Sequence, residues 1–189
     1  MSNHPVGILL AAGSSQRFGS DKLLHPVIED TPMLLLSAKK LADALPQSLV
    51  VINKNLLIYK SQLEKLGLKV VVNKNSKQGM GSSIACGVSH SSDASGWLIT
   101  LADMPYIKTQ TLSLLAKKLK AGASIIAPEF EQQRGHPVCF SHAYKNELLA
   151  LNQDTGARDI IKQHQDQLDL MTTNDAGVVQ DVDYKEDII

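Results

Sequence analysis

Short, unbroken apolar runs recur along the chain with amphipathic segments between them, and this alternation limits the possible folds more than any other feature. Val6–Leu10, Leu49–Ile52, Lys69–Val72, Trp97–Leu101 and Ser124–Ala127 are each near-continuously apolar over four or five residues. Strands covered on both faces have this pattern. Between them, Met33–Leu45, Leu56–Leu66, Ser82–His90 and Thr109–Ala121 repeat apolar residues at helical spacing. Pro32 suits a first helical turn, with Thr31 as its N-cap. Beyond residue 128 the pattern loosens. A polar loop at Glu131–Arg134 leads to a strand at Pro137–Phe140, a helix from about His142 to Leu151 and a short helix near Ala157–His164. Gly177–Val182 reads as the last strand. Such alternation predicts right-handed crossovers and an open, mostly parallel sheet with helices on both faces, in one domain.

Composition narrows the class. Aromatic residues are only 4% of the 189, so the core is aliphatic. Lys+Arg and Asp+Glu are equal at 19 each, which argues against nucleic-acid binding through a global basic field. Cys86 and Cys139 lie far apart in apolar surroundings and read as buried thiols of a reducing compartment. The opening residues lack a charged segment followed by a long apolar stretch, and no run of about 18 apolar residues occurs anywhere. The expectation is a cytoplasmic protein with no membrane partner.

Ligands of open α/β sheets bind beyond the carboxyl ends of the strands, which selects three loops. The first follows the first strand, in ILLAAGSSQRFGSDKLL (residues 8–24). Its glycines, Gly13 and Gly19, and its cations, Arg17 and Lys22, suit a phosphate chain approached by backbone N–H groups. It is neither a Walker loop nor a G-x-G-x-x-G dinucleotide turn. The second loop, Asn73–Ser83, ends in Gly79-Met80-Gly81-Ser82-Ser83 at a helix start, which suits an anion or a base edge, or is an ordinary capped turn. The third follows the strand Trp97–Leu101 and presents Asp103 just before Pro105. Asp103 is placed to hold a hard cation, or to cap the next segment. Asp181 and Asp183 alternate onto one face near the C-terminus, and one of them would reach Asp103 if that segment returns beside the central strands. His136 sits at a strand entry. Asp154 is a candidate helix cap, and Arg158 a candidate partner for a neighbouring carboxylate.

In this order the motifs resemble a known family, the nucleotidyltransferases that act on the molybdenum cofactor. LAAGSSQRFGSDK (residues 10–22) is similar to that family's L-[AG]-x-G-x-S-x-R-[FM]-G-x-x-K. LADMPYI carries its strand-end D-M-P, RGHPVCF its G-H-P, QDTGARDII its G-D-x-G-A-R, and QDVDYKED resembles its closing D-I-D-T-P-E-D. The resemblance runs the length of the chain. Two departures stand out: Gln153 replaces the glycine of G-D-x-G-A-R, and Tyr184-Lys185 replace Thr-Pro.

The resemblance implies a three-layer, Rossmann-like fold of the nucleotide-diphospho-sugar-transferase type. It implies transfer of a nucleotidyl group from an NTP to the terminal phosphate of a molybdopterin-type cofactor, with release of pyrophosphate. Ala12 stands where guanylyltransferases usually have glycine, and this points to CTP. Leu10, Ala11, Ala12, Gly13, Ser14 and Ser15 would line the nucleotide, with Gly81, Ser82 and Ser83 near its base or ribose. Arg17 and Lys22 would neutralise its phosphates and, with Asp103, carry the catalysis. Asp103 and Asp183 would hold Mg²⁺ or Mn²⁺. Gly135, His136, Asp154, Gly156 and Arg158 would face the acceptor. A molybdoenzyme or its chaperone is an implied protein partner. Two alternatives stay open at this point: a same-fold enzyme with another NTP or phosphorylated acceptor, and a non-catalytic nucleotide or pterin carrier.

Overall fold

The computed structural model describes residues 4–13, 22–152 and 156–188. The strands are β1 (Val6–Ala11), β2 (Pro26–Ile28), β3 (Thr31–Pro32), β4 (Ser48–Ile52), β5 (Lys69–Val72), β6 (Gly96–Leu101), β7 (Ile125–Phe130), β8 (Gln133–Arg134), β9 (Val138–Ser141) and β10 (Leu168–Thr172). The helices are α1 (Met33–Ala44), α2 (Lys60–Lys65), α3 (Met80–Ser89), α4 (Thr109–Lys120), α5 (Lys145–Leu149) and α6 (Arg158–Gln163).

The main sheet runs β10-β7-β9-β6-β1-β4-β5, with β8 paired to β7. β1 lies parallel to both β4 and β6, and β4 parallel to β5. β9 is antiparallel to both β6 and β7, so the sheet is mixed rather than purely parallel. From β1 the chain builds outward through β4 and β5, then crosses back to place β6 on the other side of β1. The crevice at this reversal, beyond the carboxyl ends of β1 and β6, is where α/β sheets bind ligands.

Alternation along β1 divides the core. Leu9 and Ala11 pack towards a cluster containing Met33, Leu34 and Leu41 of α1 and Leu112 and Leu115 of α4. Ile8, Leu10 and Ala12 pack towards Ile84 and Val88 of α3, Leu148 of α5 and Ile160 of α6. Burial on both faces is why these strands read as continuous apolar runs.

Several sequence expectations are corrected. Gly177–Val182 is not a strand. Ala176–Val179 forms a 3-10 turn, Gln180 beyond it is extended, and residues 180–183 join no ladder. Gly177 lies against the backbone of Tyr106 and Ile107, where a Cβ would come within 2.4 Å of the Tyr106 carbonyl carbon, so the segment is pressed onto a loop rather than aligned beside a strand. The last strand is β10 instead, a largely exposed edge that no continuous apolar run announces. Thr31 does not cap α1. It pairs in β3, and the capping position is Pro32, with no side-chain cap bond. The helix expected over Leu56–Leu66 begins as a 3-10 turn at Lys54–Tyr59 and becomes α-helical only in α2. The helix expected from His142 likewise opens with a 3-10 turn, His142–Tyr144, before α5. The polar loop near Glu131 is a tight hairpin, with Glu131 and Gln132 both in the left-handed region (φ 50° and 65°) and β8 on its far side. Cys139 is buried, but Cys86 is only half-buried; both are free thiols. No helix of the described residues is long and apolar enough to cross a membrane.

The C-terminal segment is tied down by one buried carboxylate. Asp175 Oδ2 accepts hydrogen bonds from Lys108 N (2.8 Å) and Thr111 Oγ1 (2.6 Å), and its Oδ1 accepts from Gly177 N (3.2 Å). It thus caps α4 from 64 residues away, satisfying donors at a helix start that has no side-chain cap of its own. Asp175→Ala removes the acceptor and leaves the Thr111 hydroxyl and the Gly177 N–H buried without it. Equilibrium urea unfolding should show a loss of about 3 kcal/mol, the scale for charge-assisted bonds left unmade in a core.

Candidate active site

The site begins where β1 and β6 end. Their register pairs Leu10 with Leu101, and Ala102 N donates to Leu10 O (3.0 Å), carrying the ladder one step further. Ala12-Gly13 and Ala102-Asp103 therefore leave the sheet side by side. The Ser37 hydroxyl donates to Ala102 O (2.9 Å), pinning the second exit to α1.

Two further segments are brought to Asp103. The extended chain near the C-terminus runs past it, with Val182 N donating to Asp103 O (2.9 Å), and this delivers Asp183. The 3-10 turn Lys22–Leu24 buries Leu23 in the α1-side core and holds its backbone through His25 N to Lys22 O (3.1 Å). From this anchored turn Lys22 Nζ donates to Asp103 Oδ2 (2.9 Å) and to Asp183 Oδ1 (2.8 Å). The Lys22 side chain is only 10% exposed, and the carboxylates are more open. Burial pulls the Lys22 ammonium down, but hydrogen bonding and charge from Asp183 and Asp103 outweigh it and leave its pKa above the ordinary 10.5. Lys22 is thus an ammonium throughout the neutral range. What its charge adds to stability is present below 10.5 and lost only as the pH rises beyond.

Among the described residues no group of three or more His, Cys, Asp or Glu side chains could hold a metal ion unaided. Asp103 and Asp183 do converge on one point with oxygen donors only, a donor set that suits a hard cation completed by phosphate and water.

The Gly79–Ser83 motif opens α3 at the carboxyl end of β5. Ser82 and Ser83 are buried, and Asn73 Nδ2 donates to both hydroxyls (2.9 and 3.0 Å). Ser82 Oγ lies within 3.0 Å of Asn75 O and 2.8 Å of Gly79 O. The serines and Gly81 therefore build the loop from within. Asn73 went unseen in the sequence, as did Asn53 after β4. Both terminate strands, and each accepts the N–H two residues on, from Asn75 (2.8 Å) and Asn55 (2.9 Å). The signal was present: Val51-Ile52-Asn53-Lys54-Asn55 and Val71-Val72-Asn73-Lys74-Asn75 are one motif used twice, an apolar strand closed by an Asx turn. Asn53 Nδ2 also reaches Ala12 O, at a long 3.5 Å.

On the other flank, Gly135 N donates to Pro128 O and His136 N to Val178 O (both 2.8 Å). Gly135 lies so close to the C-terminal segment that a Cβ would stand 2.2 Å from Val178 O. The His136–Pro137 peptide is cis. His136 Nδ1 is buried without a partner among the described residues. Gly156 has φ +59° and packs on Met80 at the start of α3, so this turn and the Gly-Ser loop are neighbours. Arg158 begins α6 and joins no ion pair among the described residues. It lines a cavity of about 380 Å³ with Arg134, Asp159, Ile161, Lys162 and Gln165. Ser14, Ser15, Arg17 and Asp154 lie outside the described residues.

A mostly parallel sheet with a carboxylate–ammonium cluster at its reversal point has the architecture of an α/β enzyme that handles a phosphorylated nucleotide. A family model described as the MobA-like NTP transferase domain matches residues 7–168, and the chain belongs to this nucleotidyltransferase family. Among curated relatives, the nicotine blue oxidoreductase of Paenarthrobacter nicotinovorans is 26% identical over 96% of this chain and 93% of its own length. The purine catabolism protein PucB of Bacillus subtilis is 28% identical over 98% and 95%. A probable molybdenum cofactor guanylyltransferase of Thermococcus sibiricus is 31% identical over 77% and 71%. Among solved structures, Rv0371c of Mycobacterium tuberculosis superposes with a TM-score of 0.86 at 25% identity, covering 99% of this chain and 96% of that one. A manganese complex of Rv0371c also matches, with a TM-score of 0.77 at 24% identity over 97% and 95%.

Burial lowers the pKa of His136 from the ordinary 6.5; Asp103 and Asp181 raise it and Arg134 lowers it, and burial prevails. NMR titration of its ring protons in the metal-free protein should give a midpoint below 6.5. A depressed histidine favours folding above its unfolded pKa, so this contribution declines as the pH falls through that midpoint.

Proposed function

We propose that the protein transfers CMP from CTP to the terminal phosphate of a molybdopterin-type cofactor, releasing pyrophosphate. The convergence of Lys22, Asp103 and Asp183 beyond β1 and β6 carries this reading. A phosphate monoester has a second pKa of about 6, so the acceptor is largely dianionic at neutral pH and needs no strong general base. The obstacle is repulsion. Two like unit charges 4 Å apart repel by about 4 kcal/mol at an effective dielectric of ~20, and a dianion meeting a triphosphate multiplies that figure. Catalysis by positioning and charge neutralisation answers it.

Asp103 and Asp183 would hold the divalent cation, whose chemistry when bound is to neutralise and polarise phosphate oxygens. Lys22 would stabilise charge building at the α-phosphate as the acceptor oxygen attacks in line, and Arg17 would hold the departing pyrophosphate. The backbone of residues 10–15 would line the nucleotide. Ser82 and Ser83, with hydroxyls engaged inside the loop, would shape the base pocket through Asn73 rather than by direct bonds. Gly135, His136, Gly156 and Arg158 would receive the acceptor, Arg158 from the rim of a cavity that Arg134 and Lys162 also line. Ala12 supports CTP. The support lies in the motif alone, since guanylyltransferases usually have glycine at this position and the Ala12 methyl packs into the α3-side core.

The deciding experiment incubates the protein with each NTP, Mg²⁺ or Mn²⁺ and purified molybdopterin cofactor, with products weighed by mass spectrometry. A CMP adduct from CTP alone is expected. A GMP adduct would correct the base, and no adduct alongside pyrophosphate release with another phosphorylated metabolite would correct the acceptor. Asp103→Ala should abolish turnover with the circular dichroism spectrum unchanged; near wild-type turnover would remove Asp103 from the chemistry. Lys22→Ala should lose more in kcat than in CTP affinity, because the charge it answers grows in the transition state. Steady-state kinetics with only a raised KM would contradict that role.

A further inference from the structure

We infer that Lys22 is an exchangeable stand-in for the metal ion: its ammonium holds the point between Asp103 and Asp183 until metal and triphosphate arrive together. The inference rests on the proposal that these two carboxylates hold the metal.

One nitrogen sits within 2.9 Å of oxygens from both carboxylates. A divalent ion that binds the same oxygens draws them to about 2.1 Å and sets a double positive charge where the ammonium now sits. The two cations repel, so the ion enters only as the ammonium leaves. Lys22 cannot leave without cost, since its side chain is 10% exposed and both carboxylates would be given up. It needs a new anionic partner, and the phosphates of the nucleotide provide one. Metal alone therefore competes with Lys22, whereas metal with triphosphate gives every charge a partner. The two ligands must bind cooperatively, and by linkage each strengthens the other by the same factor.

The alternative is that Lys22 merely pins its turn to the sheet. Mn²⁺ binding followed by electron paramagnetic resonance, with and without CTP and with no acceptor, separates the two. For exchange, Lys22→Met should bind Mn²⁺ alone at least tenfold more tightly than the native protein. The gain from adding CTP should be correspondingly smaller in the variant. Unchanged or weaker Mn²⁺ binding in Lys22→Met overturns the exchange while the metal site stands, provided Asp103→Asn and Asp183→Asn each weaken Mn²⁺. If those two variants bind Mn²⁺ like the native protein, the metal reading fails and takes the exchange with it. Should Lys22→Met not fold, limited acetylation of the native protein decides, read at Lys22 by peptide mass spectrometry. Mg²⁺ at saturating concentration should raise acetylation of Lys22 several-fold, and an unchanged rate overturns the exchange.

Discussion

One ammonium between two carboxylates holds together the region proposed as the reaction site. Lys22 is 81 residues from Asp103 and 161 from Asp183, yet it donates to both. Three stretches of chain with no local reason to meet are joined there: the exit of the first phosphate-type loop, the end of β6 and the C-terminal segment. Two carboxylates this close repel unless a cation lies between them, so a residue of the loop that would cradle the triphosphate relieves the repulsion from within and leaves one carboxylate charge unbalanced among the three groups. A nearly buried lysine with a raised pKa is the expected outcome, because two anionic partners outweigh the desolvation of one ammonium.

The C-terminal segment reaches that cluster through a series of anchors rather than through a ladder. Asp175 fixes its start to the first turn of α4, Val178 O takes the His136 N–H, and Val182 N binds Asp103 O. Gly177 and Gly135 allow backbone-to-backbone approaches that any side chain would block. The same segment binds the His136 backbone and the Asp103 backbone, so His136 and the carboxylate pair share one support.

Similarity to known proteins defines the class more sharply than the substrate. The family model spans most of the sheet, and the Thermococcus relative carries the word guanylyltransferase in its name. The two relatives aligned over nearly the whole chain carry other names, one of them an oxidoreductase. This chain has no G-x-G-x-x-G after β1, the turn a dinucleotide cofactor requires of such a sheet, so hydride chemistry gains no support from its own residues.

Much of this architecture was legible in the sequence, for definite reasons. β1, β4 and β6 are buried on both faces and β5 partly so, which is why they read as apolar runs, and α1 and α4 show one clean apolar stripe each. Asp103 was visible because a buried strand ended on it, whereas alternation left Asp181 and Asp183 both open as its partner and only the family resemblance implied Asp183. The edge strand β10 was not visible, since a largely exposed strand lacks a continuous signal. Nor was the nature of residues 177–182, because an apolar segment pressed onto a loop has the same composition as a strand. Asp175 was hidden for a different reason: its partners Lys108 and Thr111 lie 67 and 64 residues away on another element, and a single polar residue announces no such partner. Local pattern alone determined the buried central strands, the helices α1, α3 and α4 and which loops face the ligand side, because burial and periodicity act over a few residues. The meeting of Lys22, Asp103 and Asp183 was decided only in three dimensions, since a charge pair depends on distance through space and the chain records only distance along itself.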